Sequence, residues 1–130
     1  MSVRRWDKIP PVGAAMTPFP YFVEESEPLE VAERLMSAHA IRHVPVLRNG
    51  RVVGIVSARA PQVIVPDPYV VEIATPLDEV VATMAERRIG SAVVVKHGKL
   101  AGILSVTDVC RVLAEVLRDT RRRPVGDDAA

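Results

Sequence analysis

The sequence has few features that would restrain it covalently or hold it in a membrane. Its 130 residues include one cysteine, Cys110, which cannot form an internal disulfide and is expected to be a small buried apolar side chain. No uninterrupted apolar run of about 18 residues and no cleavable leader is present. The formal net charge is only +1, so no overall field attracts nucleic acid or an anionic membrane. These absences predict a cytoplasmic protein.

Motifs for catalysis are also missing. The sequence contains no Gly-x-Gly-x-x-Gly or Walker loop, and its histidines, cysteine and carboxylates show no metal-ligand spacing. We therefore predict no catalytic residue, no metal and no required cofactor. The composition that is present, 48% hydrophobic and 25% charged residues, is typical of a folded globular domain with a proper core.

An internal repeat organises the chain. A shift of 48 residues aligns residues 18–60 with 66–108 without a gap and gives 14 identities in 43 positions, where chance gives roughly 3. The identities fall on backbone-defining and core positions. Both copies carry a Gly-Ile-x-Ser signature, at 54–57 in the first copy and at 102–105 in the second.

Each copy predicts the same order of elements. A short extended piece is followed by a helix that opens on proline and by a hairpin of two apolar strands around a glycine-containing turn. The helices carry apolar residues on one face, and the strands are apolar throughout, which is typical of a sheet buried on both sides. The predicted pieces are extended segments Tyr21–Glu24 and Tyr69–Ile73, helices from Pro28 and Pro76, and first hairpin strands Val44–Leu47 and Ala92–Val95.

The copies diverge after the Gly-Ile-x-Ser signature. In the second copy Ser105 is placed to cap a helix, Asp108 lies in its first turn, and apolar residues at helical spacing follow. In the first copy Pro61 would remove a backbone hydrogen bond from that helix and disfavour helical geometry at Ala60. We therefore predict that the first copy lacks this helix and continues as a short extended link at 61–65.

These features together resemble a tandem pair of CBS (cystathionine-β-synthase-type) domains. The resemblance covers about residues 15 to 117 and rests on the repeat, the order of elements, "AAMTPFPYFV", "HVPVL", "RVVGIVS" and the Ser-x-x-Asp helix start. It implies an α/β (α+β) fold with two small sheets and flanking helices in a pseudo-two-fold arrangement. The implied divisions are an N-terminal arm 1–14, a first motif 15–60, the link 61–65, a second motif 66–117 and a disordered charged tail 118–130.

The resemblance also implies a role and a ligand. CBS pairs are regulatory and not catalytic, and their composite clefts commonly bind adenine nucleotides or related adenosyl ligands. Carried over position by position, a carboxylate would accept hydrogen bonds from both ribose hydroxyls, a helix N-terminus and cationic side chains would hold phosphate, and apolar side chains would wall an adenine. The nucleotide-binding residues so assigned are Thr17, Phe19, Pro20, Tyr21, Ile41, Arg42, His43, Ser105, Thr107 and Asp108.

The second cleft is expected to be degenerate. It has alanine where the first cleft has Asp108, and it lacks an Arg-His pair. We therefore expect one good site and one degenerate or empty site. The residues assigned to this second cleft are Ser57, Arg59, Tyr69, Ile89 and Ser91.

Plainer interpretations remain open for the same residues. Ser-x-x-Asp before an apolar helix is also an ordinary capping motif, worth about 1 kcal/mol and implying no ligand. Arg42 and His43 fit a solvated entry to a strand equally well. Besides an AMP-, ADP- or ATP-like ligand, the resemblance implies a homodimer that regulates an unidentified protein partner. The small net charge and the lack of a long apolar run predict no membrane partner.

Two functions other than a ligand-sensing regulator are also compatible with the sequence. One is a ligand-free structural module that dimerises or scaffolds another protein. The other is nucleic-acid binding through the basic run Arg121–Arg123, but balancing acids and favourable placement at a helix C-terminus explain those arginines more simply. No nucleic-acid partner is therefore expected.

Overall fold

The computed structural model describes residues 8–122. The predicted arm up to residue 7 and the predicted tail from residue 123 lie outside the described residues, as does Arg123 of the basic run. The described part contains eight strands, three α-helices and a short 3-10 helix at Val12–Ala14. Their bounds are β1 Thr17–Pro18, β2 Val23–Glu24, α1 Leu29–His39, β3 His43–Arg48, β4 Arg51–Ser57, β5 Ala60–Pro66, β6 Val70–Glu72, α2 Leu77–Arg87, β7 Ser91–Lys96, β8 Lys99–Ser105 and α3 Val106–Arg122.

Two four-stranded sheets form, and each borrows its fourth strand from the segment that leads into the other copy. One sheet has the order β2-β3-β4-β5, and the other has the order β1-β8-β7-β6. Thr17 and Pro18 pair with Ile103 and Gly102 of the second copy. The equivalent residues 65 and 66, which lead into the second copy, pair with residues 55 and 54 of the first. The same 48-residue shift therefore relates the two places at which a borrowed strand joins the sheet of the other copy.

The glycine of each Gly-Ile-x-Ser signature is where the borrowed strand crosses. A Cβ atom at Gly102 would lie 2.8 Å from the carbonyl oxygen of Thr17 and would collide with the Met16 side chain. At Gly54 it would lie 2.5 Å from Cγ2 of Ile64 and 3.0 Å from the carbonyl oxygen of Val65. Any larger residue would push the borrowed strand away, so the shared glycine is explained by packing.

Replacing Gly102 with alanine is expected to destabilise the protein by about 1–3 kcal/mol, because the obstructing atoms include backbone that cannot rotate away. The matched comparison is Gly50→Ala in the β3–β4 turn, where an added Cβ meets nothing and only the positive φ of 80° opposes it. Urea unfolding of both variants measures the difference. A Gly102→Ala variant that is as stable as the parent protein would show that the borrowed strand is not tightly packed there.

The buried side chains form two cores, one for each copy. In the first copy, α1 contributes Ala32 and Met36, which pack on the apolar strands of its sheet. In the second copy, α2 contributes Leu77, Val80 and Met84 in the same way. Met36 and Met84 are buried in these cores, and the predicted α/β fold class and the two small sheets are confirmed.

The region between the copies differs from the expected short link. The chain turns at Ala58 and Arg59 directly into β5. Ala60 at the start of β5 pairs with Ser57 of β4, and residues 65 and 66 at its end pair with residues 55 and 54. The extended backbone that Pro61 favours thus satisfies its hydrogen bonds on a neighbouring strand. Residues 60–66 are therefore part of a sheet, and α1 packs against them.

Three further expectations are corrected. Residues 8–14 are not a separate arm throughout, since Val12 is fully buried in the second core and its N–H donates to the carbonyl of Thr75 at 2.7 Å. The predicted tail starts too early, because α3 continues to Arg122. The arginines in its last turn interact favourably with the negative end of the helix dipole. Cys110 is exposed, because the second core takes Val109 and Val112 from the neighbouring face of α3.

Candidate functional site

The Asp108 carboxylate is held at the junction of β8 and α3. Ser105 ends the strand and Asp108 lies in the first turn of the helix, where it is only 3% exposed. Oδ2 of Asp108 accepts from the backbone N–H of Ser105 at 2.9 Å and from its hydroxyl at 3.0 Å. The Ser105 hydroxyl in turn accepts from the N–H of Asp108 at 3.3 Å. This reciprocal arrangement is a capping box, so the plainer interpretation of the motif describes real contacts.

The second carboxylate oxygen faces the other half of the molecule. Oδ1 of Asp108 accepts from the Thr17 hydroxyl at 3.0 Å and from Nη1 of Arg111 at 3.0 Å. Thr17 reaches it because β1 pairs with β8, which brings together residues that are 91 positions apart. Both donors on this oxygen are exposed side chains, whereas those on Oδ2 belong to the residue at the strand end. Oδ1 is therefore the oxygen whose partners a ligand can replace.

Arg111 was missed by the sequence-based assignment. It forms an ion pair with Asp108 across one helical turn, with its own side chain 64% exposed. The Asp-x-x-Arg spacing places the two side chains on one helix face and is the signal that could have found it. An exposed arginine beside a buried carboxylate adds positive charge at the rim of the candidate site.

His43 reaches the same region from the first copy. A Cβ atom at Gly90 would lie 3.2 Å from Nε2 of His43, so the imidazole rests on the bare backbone of this glycine. The carbonyl of Gly90 accepts from the N–H of Val106, the first residue of α3, at 3.2 Å. His43 therefore lies against the glycine that is hydrogen-bonded to the first residue of the helix that carries Asp108. Its neighbour Arg42 is exposed.

The pKa of His43 lies below its ordinary value, because burial disfavours the imidazolium and Arg42 adds a like charge. The unfolded chain therefore binds a proton more readily than the folded protein does. The contribution of neutral His43 to the free energy of unfolding is complete above about pH 6.5. It is lost as the pH falls through the lowered pKa of the folded state.

We expect His43→Gln to flatten the fall in unfolding free energy on acidification. Urea unfolding of the parent and the variant between about pH 5 and 8 measures this slope. A variant that loses stability as steeply as the parent would contradict the assignment of the slope to His43.

The side chains of the other residues assigned to the first cleft form no hydrogen bond with Asp108 in this structure. Phe19 is 94% exposed and, with Pro20, lines a groove at the hairpin ends of the sheets. Tyr21 stacks on His39 at the end of α1, with ring centroids 3.9 Å apart. Ile41 packs on the first core, and Thr107 is exposed at the start of α3. The assignment of these side chains to an adenine wall or phosphate site stays a prediction.

The residues assigned to the second cleft include a turn, at Ala58 and Arg59, where the first cleft has a helix start. Ser57 pairs with Ala60 across the two-residue turn that carries exposed Arg59. Ser91 is buried and pairs with Ser105. Tyr69 lies under the guanidinium of Arg87 at 5.1 Å, and Ile89 packs on the second core. With alanine at position 60, this set contributes no carboxylate comparable to Asp108.

The two halves of the sequence each match a known domain. The CBS domain model matches residues 12–60 and again 62–115. The chain belongs to the CBS-domain family. The resemblance inferred from the repeat and the Ser-x-x-Asp helix start is thus confirmed, and the described fold is that of a CBS pair.

Solved structures similar to this CBS pair agree in fold. A Vibrio cholerae protein assigned to acetoin utilization (AcuB) is 27% identical, with a TM-score of 0.77 over 90% of this chain and 100% of that one. The CBS domain pair of protein MJ0100, in complex with 5-methylthioadenosine and S-adenosyl-L-methionine, is 19% identical, with a TM-score of 0.76 over 82% and 98% of the chains. CBSX2 in complex with AMP is 24% identical, with a TM-score of 0.74 over 82% and 98%. No curated protein sequence matches this chain.

Within residues 8–122, no group of three or more His, Cys, Asp and Glu side chains is arranged to hold a metal ion. No helix of this same range combines the length and apolarity needed to cross a bilayer.

Proposed function

We propose that this CBS pair is a regulatory module that binds an adenosine-containing ligand, such as AMP, ADP or ATP, at Asp108 and thereby changes the activity of a partner protein. The observation that carries the proposal is the shared carboxylate. Asp108 belongs to the second copy, yet Oδ1 accepts from Thr17 on the strand that leads into the first copy. A ligand bound at this oxygen would touch both halves of the molecule.

The chemistry of the carboxylate suits a ribose. Two neighbouring hydroxyls of a ribose can donate to one carboxylate, and such charge-assisted hydrogen bonds are stronger than neutral ones. A ribose would replace Thr17 and Arg111 on Oδ1 of Asp108, while Ser105 continues to orient the carboxylate through Oδ2. Arg111 is long and exposed, so it is free to turn toward a phosphate of the same ligand.

The remaining assigned residues complete the proposed cleft. Arg42 and His43, with the N-terminus of α3 and Thr107, would hold the phosphate, since a helix N-terminus and cationic side chains both favour an anion. Ile41, Phe19, Pro20 and Tyr21 would border the adenine. The adenosyl ligands of similarly folded CBS pairs, AMP in one and S-adenosyl-L-methionine in another, support this ligand class.

Regulation requires that the ligand favour one state of the module over another. Thr17 offers a route for this, because it is both a donor to Asp108 and part of β1. A ribose that displaces the Thr17 hydroxyl would remove the side-chain tie between β1 and Asp108 of α3. We propose that this change is what a partner protein detects, and that the role is regulatory and not catalytic.

We also propose that the module is a homodimer formed through α3. One side of this helix carries Val106, Cys110, Leu113 and Leu117, spaced four, three and four residues apart, and all four are exposed. Such spacing places them in a single stripe, which is typical of a helix that packs on another helix. The first copy has a strand where a matching helix would lie, so a second molecule is the proposed cover for the stripe.

A ligand-free structural module is the second candidate. It is favoured because protein donors alone supply hydrogen bonds to the Asp108 carboxylate, two to each oxygen. In that case the capping box and the Thr17 contact would hold the two copies together, and α3 would supply the dimer contact. Ligand titration separates this candidate from the sensor.

Thermal unfolding with AMP, ADP, ATP, NAD and S-adenosylmethionine tests the sensor. We expect at least one compound to raise the melting temperature, since a ligand at 100 times its Kd adds about 2.7 kcal/mol to stability. Native mass spectrometry of the purified protein identifies any molecule that is already bound. If no compound raises the melting temperature and no small molecule is retained, the structural module is the correct function.

A matched pair of serine variants locates the site. Ser105→Ala is expected to weaken the ligand roughly 2- to 12-fold, because the hydroxyl that orients Asp108 is lost. Ser57→Ala, at the equivalent position of the first copy, is expected to leave affinity unchanged, since the second cleft is proposed to be empty. Calorimetric titration of both variants with the stabilising nucleotide makes the comparison. Equal weakening would place ligands in both clefts.

A further inference from the structure

A groove lies between the two β-hairpins, at the end of the sheets away from Asp108. It encloses about 1030 Å³, and the turns at Asn49–Gly50 and His97–Gly98 form two of its sides. Its walls come in pairs related by the 48-residue repeat, such as Val52 with Leu100 and Arg51 with Lys99. The groove therefore follows the pseudo-two-fold axis of the CBS pair, and of its lining only Phe19 and Pro20 are also assigned to the Asp108 cleft.

Each hairpin places like charges opposite each other beside this groove. Arg48 pairs directly with Arg51 across the first hairpin, and Lys96 pairs with Lys99 across the second. Like charges at directly opposed positions destabilise a sheet. The arrangement occurs in both copies, and His97 adds a further basic side chain to the lining. A repeated unfavourable pairing at one end of the molecule indicates a surface suited to an anionic partner.

One of these cations already holds a carboxylate. The guanidinium of Arg48 donates through both Nε and Nη2 to the carboxylate of Glu25, with the Nη2 contact at 2.7 Å. Among residues 8–122 the structure shows no such ion pair for Arg51, Lys96 or Lys99. The bidentate contact is thus an internal example of the chemistry that the unpaired cations can perform with a carboxylate from outside.

The floor and sides of the groove are apolar. Leu47 and Val95 line it from the two first hairpin strands, and Phe22 and Val70 are partly exposed beside them. Phe19 stands at its edge with 94% of its surface exposed. Exposed apolar surface rimmed by charge is typical of a protein-binding site. Most of the apolar lining is aliphatic, which suits aliphatic side chains better than stacked bases.

The hairpin end of the groove is distant from Asp108. Both β4 and β8 begin at the groove and end at the serine of the Gly-Ile-x-Ser signature, seven residues long in each case. At about 3.3 Å per residue the two ends lie about 20 Å apart. Asp108 therefore lies far from the hairpin cations, although Phe19 and Pro20 are assigned both to the groove and to the adenine wall, and the groove does not depend on the proposed function.

We propose that this axial groove binds an acidic peptide segment of a partner protein, one that alternates carboxylates with apolar side chains. The apolar side chains would lie on the valines and leucines of the floor. The carboxylates of the peptide segment would pair with Arg51 on one side of the groove and with Lys99 on the other. The pseudo-two-fold relation of these two cations lets an extended segment cross the axis and meet one on each side.

The test uses the full chain and a fluorescein-labelled 12-residue peptide of alternating Glu or Asp with Leu or Phe. A second peptide replaces every carboxylate by its amide, and a 12-nucleotide oligothymidine represents a nucleic-acid partner. Fluorescence anisotropy is expected to give binding of the acidic peptide only, weakening as salt is raised. No binding of the acidic peptide, equal binding of the amide peptide, or tighter binding of the oligonucleotide would each overturn the proposal.

Variants of the hairpin cations give the sharper result. Lys99→Glu and Arg51→Glu are each expected to weaken the acidic peptide at least about 10-fold, since an attractive charge becomes repulsive. Lys99→Glu should also melt no lower than the parent, because it places an acid opposite Lys96. Arg34→Glu, an equal charge change on the exposed side of α1, is the control and should bind as the parent does. If the hairpin variants bind as well as Arg34→Glu, the groove is not the site.

Discussion

Replacing Asp108 with alanine is expected to weaken an adenosine-type ligand by about 10- to 150-fold, because about 1.5–3 kcal/mol of charge-assisted hydrogen bonding is lost. The same change removes the acceptor for Thr17, Ser105 and Arg111 and the capping box of α3. We therefore also expect a loss of about 1–3 kcal/mol in unfolding free energy. Calorimetric titration with the stabilising nucleotide and urea unfolding measure the two effects.

Two further variants separate binding from folding. Asp108→Asn keeps the shape of the side chain and can still accept hydrogen bonds, so it should fold better than the alanine variant while binding ribose weakly. Arg111→Ala leaves Asp108 in place with its contacts to Thr17 and Ser105. It should bind a bare nucleoside about as well as the parent. Unchanged nucleotide affinity in Asp108→Ala would show that the carboxylate serves the helix start alone.

A double change of Leu113 and Leu117 to glutamate is expected to convert the proposed dimer to a monomer. Both side chains are more than half exposed, at 52% and 58%, so the fold of the single chain should be little affected. Burial of a leucine side chain contributes about 1.5–3 kcal/mol, and each dimer would bury four. The dissociation constant should therefore rise at least about 100-fold. Light scattering during gel filtration measures the mass directly.

The control for this change is Arg118→Glu, which adds the same negative charge to α3 but lies away from the apolar stripe. It should remain dimeric. A double variant that is still dimeric would show that another surface, such as the exposed side of β5 with Val63 and Val65, forms the contact. A parent protein that is monomeric at every concentration would contradict the homodimer itself.

The strands and helices of each copy could be predicted because the repeat presents the same local pattern twice. Proline before each helix and glycine in each hairpin turn fix the ends of these elements, and Pro28 and Pro76 do stand at the helix N-caps. The fine differences between copies depend on partners distant in sequence. Val93 donates to Tyr69 at 2.8 Å, but the equivalent Pro45 has no N–H, and β2 is one residue shorter than β6.

The site was predictable to the extent that its contacts are local or shared by a family. The Ser105–Asp108 pair follows from the spacing of a helix cap. Contact between Thr17 and Asp108 depends on the exchange of lead-in strands, which no local pattern in this sequence encodes and which only the resemblance implied. Tyr21 could not be placed from sequence, because its aromatic ring is equally suited to an adenine and to His39, on which it stacks.

The exchange of lead-in strands also sets the order in which the chain can complete itself during synthesis. All four strands of the first sheet lie between residues 23 and 66, so this sheet can close while the second copy is still being made. The second sheet needs residues 17 and 18 together with a strand that ends at residue 105. Until that strand emerges, β1 has no strand to pair with. A neighbouring chain that offers its own β8 in this interval would capture it, and the product would be an intertwined pair of molecules.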